Sequence, residues 1–211
     1  MIGPLRDRGH EVVAPELPSE ALEAGLHEYA AEIDRALGGA DDVVLVPHSL
    51  GGLVGPVVAA RRPLRALVYL SALVPEPGLS FGDQLAASEE KVLMFEGGRE
   101  LDEEGRSQWP DPDATTRIMY PDLAPEDARW AAERLRPQAQ KSQAEPSHAP
   151  PAGLRVESIF GREDQVLSPT WSRRVARERL GVEPVEIPTG HFSMISHPEL
   201  LAEELAKLDA E

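Results

Sequence analysis

The chain has 211 residues, 41% hydrophobic and 27% charged, which suits one single-core domain and excludes disorder along its whole length. Its formal net charge of -16 repels phosphate backbones and anionic headgroups, so nucleic acid and membrane surfaces are poor partners. The absence of cysteine excludes disulfides, thiolate metal sites and cysteine nucleophiles, no apolar run approaches the roughly 20 residues of a membrane span, and no secretory leader is read at the N-terminus, so a cytoplasmic location is expected.

In chain order, Glu11-Val12-Val13-Ala14 is the first candidate strand. Residues 19–37 carry apolar positions at helical spacing, with Ser19 as N-cap and Gly38-Gly39 as the stop. Residues 43–46 and 66–70 are short, continuous apolar runs, as expected of strands covered on both faces. A second helix is predicted over 50–60, closed by Pro63. Residues 75–151 then break the pattern. They are rich in proline, carry Trp109 and Trp130, and include a helical stretch at 124–135. Their aromatics argue for a lid inserted over the sheet edge, on a core made of 1–74 and 152–211. Strands at 156–160 and 184–187 follow, with a helix between them that opens at Ser168-Pro169 and stops at Gly181. A last helix is predicted over 198–208. The alternation predicts an α/β fold with a mostly parallel sheet flanked by helices, and no internal repeat is visible.

Pro47-His48-Ser49-Leu50-Gly51-Gly52 follows one strand and precedes a helix. That context suits a nucleophile elbow, a tight turn that lifts the serine oxygen above the sheet and aims the next N–H, that of Leu50, at a developing oxyanion. Pro47 stands where such turns usually have glycine. The plainer interpretation is a Ser-Leu-Gly-Gly helix start with no chemistry.

A serine nucleophile needs a base, and the base needs an orienting acid. Of six histidines, His191 follows the last strand in the loop to the last helix, at the carboxyl end where α/β sheets collect ligands. His10, His27, His148 and His197 lie in other contexts, and His48 is inside the elbow. Asp164 follows the penultimate strand and is the favoured acid, with Glu76 and Glu163 as rivals. The order Ser49, Asp164, His191 is the order of α/β-hydrolases.

These residues give the chain a recognisable likeness. His48 to Gly52, residues 67–77, residues 161–169 and the run from Gly190 to Pro198 resemble the α/β-hydrolase superfamily, in particular the small branch of plant methyl-ester esterases and hydroxynitrile lyases and their actinobacterial relatives. The resemblance implies that fold, a Ser-His-Asp mechanism and a lid, with no metal or organic cofactor. Lyases of this branch carry a lysine soon after the histidine. Phe192, Ser193 and Met194 stand here, which favours ester hydrolysis over cyanohydrin cleavage. His48, Trp109, Met119, Trp130 and Phe192 are expected to contact a small substrate. The alternative is a non-catalytic or weakly active protein of this fold that binds a small apolar ligand or a protein partner.

The resemblance also sets an expectation for the start. Residues 1–10 look like the end of the family's first helix, without the strand and loop that supply a second oxyanion donor. That strand would sit between the runs at 11–14 and 43–46. Either 11–14 pairs with 43–46 directly, or a strand from elsewhere, such as a second copy in a homodimer, fills the place.

Overall fold

The computed structural model describes residues 1–209. Helix α1 (Ile2–Arg6) opens the chain, followed by α2 (Leu26–Leu37) and β1 (Val44–Leu45). A 3-10 turn (Ser49–Leu53) leads into α3 (Gly55–Arg61) and β2 (Ala66–Leu70). Residues 75–151 contribute α4 (Phe81–Ala87), the hairpin strands β3 (Glu100–Leu101) and β4 (Ser107–Gln108), α5 (Pro112–Met119), α6 (Pro125–Ala132) and α7 (Lys141–Ala144). Strand β5 (Val156–Gly161), α8 (Pro169–Val175), β6 (Val185–Ile187), α9 (Ser193–Ser196) and α10 (Pro198–Ala206) complete it.

β1, β2, β5 and β6 form a parallel sheet in that spatial order. All five residues of β2 are buried, which is why its sequence is continuously apolar. The period of two still divides them. Leu67 and Tyr69 pack with Val57, Val58, Trp171 and Val175 of α3 and α8, while Ala66, Val68 and Leu70 pack with Leu201 and Leu205 of α10. A third cluster joins residues 119–131 to the loops after β5 and β6: Met119, Tyr120, Ala128 and Ala131 meet Val166, with Phe192 and Ile195 against them.

Three expectations are corrected. Residues 11–14 form no strand, and Val13 is 41% exposed. Pro15 and Pro18 follow at once, and a strand needs a neighbour for its N–H and C=O groups. Residues 11–14 do not take the outer edge of β1, which pairs with β2 alone and carries no other strand among the described residues. Residues 43–46 are only partly buried, so their open polar groups are not sealed from solvent. The helix predicted from Ser19 begins only at Leu26, because residues 17–24 close a series of tight turns and Gly25 takes the N-cap place. The helix predicted over 50–60 is split between the 3-10 turn and α3.

Candidate active site

The turn after β1 has the geometry that its sequence suggests. Ser49 has φ +54, a left-handed conformation that a side chain rarely adopts and that surrounding bonds must hold. They do so from three sides. Leu70 N–H donates to the Pro47 carbonyl at 3.0 Å, Leu73 N–H donates to the Ser49 carbonyl at 3.0 Å, and Gly51 N–H donates to the His48 carbonyl at 2.8 Å. The close approach of residue 73 explains Gly52, where a Cβ would lie 2.0 Å from the Leu73 carbonyl oxygen. Pro47 is compatible with the turn because its carbonyl, rather than a missing N–H, makes the bond to β2. Leu50 is the second residue of the 3-10 turn, so its N–H is one of the donors that a helix start leaves unused.

Asp164 and His191 meet at the carboxyl ends of β5 and β6. Asp164 is 2% exposed. Its Oδ1 accepts the N–H groups of Val166 at 2.7 Å and Leu167 at 2.9 Å, and its Oδ2 lies 2.7 Å from His191 Nδ1. Two backbone donors suit a carboxylate, which then takes a proton donor from the ring, so Nδ1 carries the hydrogen and Nε2 is left as acceptor. The rivals are elsewhere. Glu76 pairs with Arg179 at 2.7 Å, and Glu163 is exposed. Ser49 and His191 border one cavity of about 180 Å³. The Ser49 hydroxyl makes no hydrogen bond among the described residues, and nucleophile–base contacts are often loose before substrate enters.

His48 has a different place from the one expected. It does not line the cavity. Its Nε2–H donates to the His191 carbonyl at 3.0 Å, and its ring lies 4.5 Å from that of His191 and 4.9 Å from that of Phe192. Burial, and secondarily the neighbouring His191, push its pKa down to about 3, so it is neutral near pH 7. Trp109, Met119 and Phe192 do line the cavity, joined by Phe81. Trp130 does not. Ala128 and Ala131 take the buried face of α6, which turns Trp130 outward, 52% exposed, with the Arg134 guanidinium 4.4 Å from its ring. A shallow hollow of about 390 Å³ runs beside it along α6 and touches none of Ser49, Asp164 and His191.

Sequence reasoning missed a polar wall of the cavity, formed by Arg99, Ser107, Arg136 and Gln138. It depends on pairing that no local pattern signals. Ser107 and Gln138 exchange both backbone bonds at 2.8 Å, which brings the β3–β4 hairpin against residues 136–138. It also missed Asp122, whose carboxylate accepts the Gly190 N–H at 2.7 Å.

A parallel sheet that gathers a strained serine turn, an acid loop and a histidine loop at its carboxyl edge is the architecture of the α/β-hydrolases. The chain belongs to the alpha/beta hydrolase family, whose model matches residues 2–204. A carbendazim hydrolyzing esterase from Nocardioides sp. is 33% identical over 187 residues, covering 80% of this chain and 72% of that protein. Among solved structures, a pyrethroid hydrolase from Sphingobium faniae JZ-2 superposes with a TM-score of 0.84 at 23% identity, over 99% of this chain and 90% of that one. The methylesterase protein MES16 from Arabidopsis gives 0.67 at 16% identity, over 88% and 78%.

Proposed function

We propose that this protein is a serine esterase that hydrolyses a small, largely apolar ester or related acyl compound. Ser49 Oγ attacks the carbonyl carbon while His191 Nε2 takes its proton. Asp164 holds the imidazole in the tautomer that makes this possible and stabilises the imidazolium that forms. The Leu50 N–H donates to the oxyanion. His191 then returns the proton to the departing alkoxide, and a water repeats the sequence on the acyl-enzyme. Residues 75–151 act as the lid that keeps this exchange from bulk solvent. The observation that carries the reading is the buried Asp164–His191 pair beside a cavity that also receives a serine held at φ +54. The family and the esterase among its relatives support it.

The test compares wild type and Ser49→Ala on p-nitrophenyl acetate, with a fluorophosphonate probe read by intact mass. Turnover should depend on Ser49, and the probe should add one label that Ser49→Ala abolishes. Equal rates for the two proteins, or an unlabelled wild type, would leave a ligand-binding role under the lid as the better account.

A further inference from the structure

The turn between α5 and α6, at the base of the lid, carries Asp122, which no step above uses. Its carboxylate is mostly buried, with 11% of the side chain exposed. Oδ2 accepts the Gly190 N–H at 2.7 Å, and Oδ1 is buried without a partner among the described residues. His197 Nδ1 lies 3.9 Å from Oδ2, too far for a hydrogen bond. Gly190 is the residue immediately before His191. A Cβ on it would meet Asp122 Oδ1 at 2.7 Å, so the lid's carboxylate occupies the space that any other residue at 190 would fill. The neighbouring Tyr120 packs on Phe192, the residue after His191, with ring centroids 4.7 Å apart. The α5–α6 turn therefore holds the histidine loop by a carboxylate before the base and an aromatic ring after it.

We propose that Asp122 is a positioning residue whose bond to the Gly190 N–H fixes the backbone that carries His191, so that the base is held in place only while the lid is seated. This rests on the esterase reading above. A carboxylate oxygen that accepts a mostly buried N–H satisfies a donor that water does not reach, and leaving that N–H unpaired adds a penalty. A base displaced by a fraction of an ångström loses turnover more than it loses binding.

Steady-state kinetics on the same ester should show kcat about tenfold lower in Asp122→Ala with KM within about twofold, the size expected when one such bond is lost. Asp122→Asn should recover most of kcat, because its amide oxygen accepts the same N–H. Gly190→Ala should lose a similar factor by pushing the carboxylate away. Its φ lies outside the left-handed region, so alanine is not strained there. The double variant Asp122→Ala/Gly190→Ala should be no slower than either single one. Amide exchange at Gly190 should quicken about tenfold in Asp122→Ala, with β5 unchanged. Loss confined to KM, an asparagine variant no better than alanine, additive losses, or unchanged exchange at Gly190 would each overturn the proposal. Should Asp122→Ala fail to fold, Asp122→Asn and Gly190→Ala decide it by the same readings. Should wild-type turnover prove independent of Ser49, the esterase reading falls by itself, and exchange at Gly190 still decides whether Asp122 holds that loop.

Discussion

His48 shows what one side chain does beside the proposed nucleophile when it turns away from the cavity. Its ring packs against those of His191 and Phe192 and its Nε2–H holds the His191 carbonyl, while burial disfavours the charge that protonation would introduce there. Its folded pKa of about 3 lies below the ordinary histidine value of about 6.5, so between these values the unfolded chain binds more protons. The sign follows: the stability from neutral His48 is complete above about pH 6.5 and is lost as the pH falls toward 3. Urea midpoints should therefore drop from pH 7 to pH 4, and His48→Gln should flatten that slope whatever it does to the midpoint at pH 7. Parallel slopes for the two proteins would show that His48 does not contribute to the acid limb. Sequence placed Ser49, Asp164 and His191 at one edge of the sheet, where the structure also has them, because each follows a strand at its carboxyl end, a position that chain order alone specifies. The direction of His48 and Trp130 was not legible. One depends on which loop the elbow packs against, the other on which face of α6 is buried, and both are settled by tertiary contacts rather than by neighbours in sequence.

Elements were legible where local chemistry closes them. Helix α8 begins where Ser168-Pro169 predicts, with Ser168 Oγ accepting the Trp171 N–H at 3.3 Å and Pro169 in the first turn. The helical run that continues through residues 176–180 ends at Gly181, whose φ of +70 only glycine adopts at little cost. Ser168→Ala removes the cap. It should cost ~1 kcal/mol and lower Tm by about 2–4 °C in a scanning calorimeter, since the chain falls in the size range for that conversion. A Tm unchanged within half a degree would mean that packing of Trp171 and Val175, both buried, fixes this helix without its cap. The helix expected from Ser19 failed for the complementary reason. Apolar spacing continues across residues 19–25, but a better start lies downstream. There Glu28 accepts the Gly25 N–H at 2.8 Å and Glu145, from the far end of the insertion, accepts the Leu26 N–H at 2.7 Å. The partner 119 residues away is invisible to any local window. The run at 11–14 forms no strand although the outer edge of β1 is open among the described residues, and Pro15 and Pro18, which follow at once, take ladder donors from its continuation.

At the scale of the whole molecule, residues 75–151 and the loops at the sheet's carboxyl edge together define a space smaller than most ligand sites. Its volume of about 180 Å³ falls below the roughly 300–1,000 Å³ usual for drug-sized ligands, and is closer to the roughly 150 Å³ that holds one benzene ring. One side of it is Trp109, whose ring stands edge-on to Phe95 at 5.1 Å and lies within residues 75–151. Two consequences follow for the proposed esterase. A cavity of this size would hold an acyl group of about ring size, and a larger ester would react only if residues 75–151 move or lose bulk. Across a series of p-nitrophenyl esters from acetate to decanoate, kcat/KM should therefore pass through an optimum at short or medium acyl length. Trp109→Ala should move that optimum to longer chains, because one methylene in an apolar pocket is worth about 10-fold or more in kcat/KM when it gains or loses its contacts. Trp130→Ala is the control, since Trp130 stands outside the cavity on α6 and should leave the profile in place. A wild-type profile that falls steadily from acetate with no optimum, or a Trp109→Ala profile identical to it, would mean that the acyl group does not lie in this cavity and that the insertion does not set its length.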